Sequence, residues 1–425
     1  MTDERLTAKQ FQDSDGVEDW RVLAFGANAW FDAPSHAAGA ELVRRIADLG
    51  GRQPDVNLRA SGVHVRIPSP PDLTTADVEL ARQISAAARD LGRAADPSAV
   101  QDVQVTIDVL DKAAVVPFWQ TALGYDLVGD DDLVDPMRRH PAIWFQQQSD
   151  PRPLRNRIHL DIVRPNALAA DGVEAVGGRA TGVIEVGLAD AEGNEADVIP
   201  LGPAERLEAP ETADWSGPFA GMVFYPVSSP QQGAEVAAVA AGMADEAGMP
   251  MMIDLRPGGV LLDTGKDQEW NDPFPELARK IQAAARGMGL AADPAPLRFV
   301  QVGIDAADVP VLRHFWRTVL GYEEDQREHV TDLFDPRRLN APVFFLEIDT
   351  SEEDRRKQRN RIHVDVFVPN DQAQARIDAA LAAGGRIVYD AEAPEWWTLA
   401  DPEGNEVDIA VSVGREELWQ ERAGA

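Results

Sequence analysis

Cysteine is absent from the 425 residues, which excludes disulfides, thiolate metal sites and cysteine nucleophiles. Basic charge is scarce: 40 Lys and Arg stand against 72 Asp and Glu, a formal charge of −32. Nucleic acid and anionic membranes both select for a basic footprint, so neither is expected as a partner. No run of about 18 apolar residues exists to span a bilayer. The start, MTDERLTAKQFQDSDG, lacks the apolar stretch of a secretory signal. A soluble, cytoplasmic protein is the expectation. The chain also lacks a Ser-His-Asp pattern, a phosphate-binding glycine loop and an HExxH zinc motif. Histidine is sparse, with seven in all, so each can be weighed separately.

What the chain has is itself, twice. Glu79–Arg89 recurs as Glu276–Arg286 with nine of eleven positions identical, at an offset of 197. The same offset carries Ala94–Pro97 onto Ala291–Pro294, Val103–Val105 onto Val300–Val302, and Phe118-Trp119 with Leu123–Tyr125 onto Phe315-Trp316 with Leu320–Tyr322. Further on, Arg155–His159 matches Arg359–His363, and Glu192–Glu195 matches Glu403–Glu406, where the offset has grown to 211. Insertions of this kind sit in loops. Each copy divides again after a helix that ends at Gly92 or Gly289. Four domains are expected, at 18–93, 99–203, 214–290 and 296–413. The fold class is α+β, an internal duplication in which each half joins a small αβ domain to a larger, paired βαβββ domain.

In the small domain, apolar spacing predicts a helix over His36–Leu49. Gly62–Ile67 alternates as a strand, and Thr74 or Thr75 caps a helix running to Leu91. Arg52-Gln53-Pro54-Asp55, the Val63–Ile67 strand and Asp72–Ala81 together resemble the pterin-4a-carbinolamine dehydratase family. That family has paired histidines before its Pro-acid pair and a third after the strand. Arg52, Gln53 and Ser69 stand at those places here. The dehydratase moves protons with imidazoles, so the resemblance implies the fold and not 4a-hydroxytetrahydrobiopterin dehydration. His64 reads as a packing histidine.

In the larger domain, Val103–Asp108 is a strand, Val115–Leu123 a helix stopped by Gly124, Ala142–Gln146 and Ile158–Val163 further strands, and residues 167–176 a helix. A turn at Glu192–Asn194 joins two closing strands. Phe315-Trp316 with Leu320–Tyr322, then Asn360–Asp365, then Asp401–Glu406 resemble the glyoxalase-like branch of the vicinal oxygen chelate superfamily, and copy one carries the same set. Metal enzymes of the superfamily hold one divalent ion with four side chains from the first, fourth, fifth and eighth strands. The resemblance places these at Gln301, Glu347, His363 and Asp408 in copy two, and at Gln104, Gln147, His159 and Asp197 in copy one. Oxygen donors with one imidazole suit a hard or borderline divalent ion. Glu406 shares a strand face with Asp408 and is the alternative carboxylate. Glu347 and Glu406 are the candidate catalytic groups for proton transfer. Trp397, Gln104 and His159 are candidate ligand-binding residues. The Phe-Trp pairs read as helix core.

Two functions follow from the resemblance. One is a metal-dependent lyase, isomerase or dioxygenase acting on a small organic molecule. The other is a non-catalytic, resistance-type protein that binds one. Either use would call for the two larger domains to pair within the chain, or for a homodimer.

Overall fold

The computed structural model describes residues 4–424, apart from 71, 166–169, 183–185, 205 and 208. The chain forms two compact units. One comprises residues 1–101, 202–297 and 411–425, and the other 102–201 and 298–410.

The first unit is built on a nine-stranded antiparallel sheet. Its two contributing segments meet where Met252–Arg256 pairs with Asp55–Arg59, Ile253 opposite Leu58. Four long helices accompany it: His36–Ala47, Thr75–Asp90, Pro230–Ala247 and Phe274–Gly287. The first ends two residues earlier than expected, at Ala47. The second carries a capping box between Thr74 and Asp77, which satisfies backbone N–H groups that the first helical turn leaves open. Apolar positions of all four helices join the sheet in one core, with Ile46, Ile84, Val236 and Ile281 among its members. His64 lies mid-strand, its ring between Asn57 and Asn28 at 2.8 and 3.0 Å. Both ring nitrogens are occupied there, as befits a packing histidine.

The second unit carries two eight-stranded sheets of the same design. In the first sheet, the central antiparallel pair is Asp102–Val109 against Ile362–Phe367. Asp102–Val109 is flanked by the parallel strand Ala142–Gln147, and Ile362–Phe367 by the parallel strand Glu406–Ala410. In the second sheet, Ile158–Arg164 pairs with Phe299–Ala306, flanked by Glu195–Pro200 and Val343–Glu347. Each of these two sheets thus takes its left and right halves from different repeats of the sequence.

The helix Lys112–Leu123 follows the first central strand and starts three residues earlier than the apolar spacing suggests, because Asp111 caps it by accepting from the Ala114 N–H. It ends at Gly124 in the left-handed conformation, φ 65°. Its counterpart Val309–Leu320 is capped by Asp308 and ends the same way at Gly321. Of the helix expected over 167–176, residues 167–169 lie outside the described residues; the described part spans Ala170–Ala175.

The repeated sequence motifs are largely folding locks. Trp119 and Trp316 are buried and donate their indole N–H to Asp190 and Asp401, at 2.8 and 3.0 Å. Each aspartate also receives the N–H groups of its own Glu-Gly-Asn turn. Glu192 and Glu403 reach back to the backbone N–H groups at the starts of the two helices. Arg157, 1% exposed, donates to Asn405 of the other repeat at 2.8 Å, and Arg361 donates to Asn194 at 2.8 Å. The two repeats are therefore stitched to each other through buried, charge-assisted hydrogen bonds.

Candidate metal and ligand site

Strand alternation decides which side chains meet. Along the central strands of the first sheet, Val103, Val105 and Ile107 of one strand and Ile362, Val364 and Val366 of the other are buried apolar residues on one face. The opposite face carries Gln104, Thr106, His363 and Asp365, with His363 opposite Thr106 and Asp365 opposite Gln104. Asp408 is in register with Asp365 and joins this face. One ligand atom each from His363, Asp365 and Asp408 lies within 4.8 Å of the others. The second sheet repeats this with His159, Asp161 and Asp197, His159 standing opposite Gly303 and Asp161 opposite Gln301.

The four positions grouped from copy two are accordingly divided. Gln301 and Glu347 belong to the sheet of His159 and Asp197, while His363 and Asp408 belong to the sheet of Gln104 and Gln147. The physical reason is the strand exchange: the free edge of each first strand is met by a fifth strand from the other repeat. The fourth-strand positions shift as well. Leu346 is in register with Asp305 and shares the face of Gly303, whereas Glu347 is in register with Ala306. Leu346 therefore occupies the place on the site face, and Glu347 lies at the strand end, exposed. Its counterpart Gln147 donates its amide N–H to the carbonyls of Val109 and Leu110 at 3.2 and 2.9 Å. Gln147 ties down a loop through these contacts.

Two other candidates also change place. Trp397 is opposite Ile409 on the apolar face, while its neighbour Trp396, opposite Ala410, shares the face of Thr398 and Asp408. Glu406 is held by Arg359 through three contacts of 2.7–2.9 Å. Glu195 is likewise paired with Arg155 at 2.7 Å. Missing from the sequence reading are Asp161 and Asp365. Their signal was present: a His-x-Asp spacing puts both side chains on one strand face.

In the first cluster, the His363 ring nitrogen Nε2 lies 3.5 Å from Asp365 and 3.9 Å from Asp408. Burial works against a charge on His363, but Asp365 and Asp408 together outweigh it and raise the imidazole above its ordinary range. Burial pushes the Asp408 carboxyl up to about 7, opposed by His363 and reinforced by Asp365. Thr106 donates its hydroxyl to Asp365 at 2.7 Å. One oxygen of Asp408, Oδ1, is buried with no hydrogen-bond partner among the described residues. A buried carboxylate oxygen of this kind is costly unless a cation or donor meets it. Two carboxylates and an imidazole converging on one point therefore fit a divalent ion by the chemistry of the donor set.

The second cluster differs in its supports. Gln301 donates its side-chain N–H to Asp161 at 2.7 Å, the task that Thr106 performs in the first sheet. Gly303 stands where Thr106 stands, and a Cβ there would come within 2.4 Å of the His159 ring. The glycine lets that ring lie against the strand, edge-on to Phe344 at 5.7 Å. Burial pushes the Asp197 carboxyl up to about 6, against the pull of His159. A cavity of about 300 Å³ opens beside this cluster, reaching His159, Asp197, Leu346 and Glu347.

The glyoxalase-like domain family model matches residues 104–199 and again 301–410. A search of curated proteins finds no match. Among solved structures, glyoxalase I from Zea mays is similar at 12% identity, covering 75% of this chain and 95% of that one, with a TM-score of 0.35. A glyoxalase/bleomycin resistance protein/dioxygenase family enzyme from Burkholderia phytofirmans is similar at 18% identity, covering 26% of this chain and 95% of that one, TM-score 0.20. A glyoxalase-related enzyme from Fulvimarina pelagi is similar at 17% identity over 26% of this chain and 84% of that one, TM-score 0.20. Residues 104–199 and 301–410 of this chain are thus similar to the glyoxalase-like domain family, and both stretches lie in the unit of two eight-stranded sheets.

Proposed function

We propose that the chain binds a small organic molecule, with the help of a divalent metal ion, on the concave faces of the two composite sheets. The observation that carries this reading is the recurrence of one His-Asp-Asp cluster in both sheets, each with ligand atoms within 4.8 Å. His363, Asp365 and Asp408 would hold the ion in the first sheet, and His159, Asp161 and Asp197 in the second. A bound ion would supply Lewis-acid attraction for two neighbouring oxygens of the ligand. Thr106 and Gln301 orient the central aspartates by donating to one carboxylate oxygen of each. The pairing of the two glyoxalase-like domains is intramolecular in this proposal, supported by the two central ladders between the repeats.

Binding is favoured over turnover by the state of the neighbouring acids. Glu406 and Glu195, each two residues from the aspartate of its cluster, are committed to Arg359 and Arg155. A carboxylate whose oxygens are engaged by a guanidinium is not placed to reach a substrate proton. A second reading, a metal-dependent lyase or isomerase, draws on Glu347 alone, which is exposed in the cavity beside His159 and would take up a proton there.

The test is metal stoichiometry. Dialysed full-length protein titrated with Mn²⁺ should bind two ions per chain, His363→Ala and His159→Ala should each bind one, and the double variant none. Unchanged binding in the double variant would remove the proposal's support.

A further inference from the structure

We infer that the first unit carries a binding site of its own, a cavity between the helices His36–Ala47 and Pro230–Ala247 that takes an uncharged, flat aromatic molecule of about two fused rings. The site is independent of the metal clusters and of the two eight-stranded sheets.

The duplication supplies two equivalent places to compare. Ser35-x-x-x-Gly39-Ala40-Glu41 recurs as Ser229-x-x-x-Gly233-Ala234-Glu235, and each serine caps its helix. The helices run antiparallel: His36 at the start of one meets Asp245 near the end of the other, and Gln231 at the start of the second donates to the Ala47 carbonyl at 2.8 Å. At the first place a ring fills the space. His36 is 2% exposed, with Nδ1 2.8 Å from Asp245 and Nε2 accepting from the Met251 N–H at 3.1 Å. One turn on, Gly39 is tightly packed, because a Cβ there would come within 2.5 Å of Leu58 and 3.1 Å of Val63.

At the second place the equivalent positions border a cavity of about 250 Å³. Pro230 replaces His36 and Pro54 replaces Met251, so neither the imidazole nor the backbone donor that holds it is present. Asp48, the counterpart of Asp245, is exposed. Gly233 is loosely surrounded: the atoms nearest to a Cβ built there lie at 3.5 Å, in Val227 and Val260, and Leu255 lies at 3.7 Å where its counterpart Leu58 lies at 2.5 Å from that of Gly39. Leu58 is fully buried, whereas Leu255 is half-buried.

The wall selects an uncharged occupant. Val43, Ile46, Val56, Val227 and Leu255 line the cavity, and among the described residues no carboxylate does. The guanidinium of Arg256 is committed to Asn57 and the Leu255 carbonyl, each at 2.8 Å, and lies 3.8 Å from Asp55. A charged molecule would therefore lose its water without gaining a counter-ion. Size follows from volume. An apolar cavity of about 150 Å³ holds one benzene ring, so this one has room for two fused rings. A flat ring is also what the fold itself places at the equivalent position. Of the positions that carry histidine in the dehydratases, Gln53 lines the cavity but Arg52 and Ser69 do not, and Arg52 pairs with Asp77 at 3.4 Å. The cavity is thus distinct from the dehydratase centre.

Calorimetric titration of the full-length protein with indole tests this, with benzene as a smaller probe and 2-naphthoate as a charged probe of similar size. Indole should saturate a single site per chain. Benzene and 2-naphthoate should bind about tenfold more weakly or worse, the first because it buries less apolar surface and the second because its charge is desolvated. Gly233→Leu should fill the cavity and abolish indole binding, while the urea midpoint stays at or above that of the parent, because the added Cβ meets only ordinary contacts and a helical glycine is lost. Leu255→Trp, which offers the cavity an indole ring from its own wall, should abolish binding as well and serves if the Gly233 variant does not fold. The double variant His159→Ala with His363→Ala should bind indole as the parent does. No saturable indole binding, equal affinity for benzene or 2-naphthoate, binding that survives both cavity variants, or its loss in the double histidine variant would overturn the inference.

Discussion

Replacing Arg361 by alanine should cost far more stability than replacing Arg359, two residues away. Arg361 is 4% exposed. It donates to Asn194 at 2.8 Å, to the carbonyls of Gly193 and Leu154 at 2.9 and 3.0 Å, and to the Arg152 carbonyl. Arg361→Ala leaves these acceptors facing the gap. Asn194 keeps the hydrogen bond from Asn156 at 2.9 Å, so at about 1–3 kcal/mol for each of the three carbonyls the dry limit is about 9 kcal/mol. Water entering the space of the lost guanidinium recovers part of this, and breaking buried charged networks typically costs about 3–5 kcal/mol. A loss of about 4 kcal/mol is therefore expected, against a total stability of about 5–15 kcal/mol for a typical domain. Arg359, by contrast, keeps 46% of its side chain exposed while it pairs with Glu406, so Arg359→Ala should cost less than about 1 kcal/mol. Urea unfolding followed by tryptophan fluorescence compares the two midpoints. Equal losses, or a loss below about 1 kcal/mol for Arg361→Ala, would refute the idea that this arginine stitches the repeats together.

Two other outcomes follow from the same structure. Val105 is directly opposite Val364, at the Cα separation of an antiparallel pair, which a disulfide can span. In this cysteine-free chain, Val105→Cys with Val364→Cys should oxidise to an intramolecular bridge, while Val105→Cys with Leu160→Cys, the pair that would meet if the first repeat closed on itself, should stay reduced; mass spectrometry of digests distinguishes them. His140 contacts the Arg298 carbonyl at 2.9 Å through Nε2, and burial, opposed by Asp135, lowers its imidazole to about 4. The unfolded chain therefore binds the extra proton first, and stability should fall as pH drops from about 6.5 toward 4, by up to about 3 kcal/mol and by less because the ring is only half-buried; His140→Gln should flatten that slope, and an unchanged slope would contradict the assignment.

Much of the fold could be read from residue spacing. Gly124 marks the end of the helix that the structure shows from Lys112, though apolar spacing placed its start at Val115 and passed over the Asp111 cap, and the alternation of Val103–Asp108 names the face that carries Gln104 and Thr106. The Phe-Trp pairs are core, as their helical spacing suggested. What spacing within one repeat could not reveal was the exchange of strands. His159 and His363 stand in identical local sequence, Asn-Arg-Ile-His, so nothing local says whether a histidine faces the glutamine of its own repeat or of the other. The information lies in contacts more than 100 residues apart, such as Arg157 with Asn405 and Arg361 with Asn194. Glu347 and Trp397 were displaced for a related reason. A period of two makes a one-residue error a change of face, and Leu346 and Trp396 are the neighbours that the register selects.

Each His-Asp-Asp cluster is supported by residues of both repeats, through Thr106 on Asp365 and Gln301 on Asp161. Mn²⁺ titration of Gln301→Ala on two backgrounds addresses this most directly. On a His363→Ala background only the His159 cluster remains, and Gln301→Ala should weaken that remaining site by about tenfold through loss of its hydrogen bond to Asp161. On a His159→Ala background, the same change should leave the remaining His363 site untouched. The opposite pattern, with Gln301 mattering only where His363 is intact, would show that each repeat closes on itself and would contradict the account.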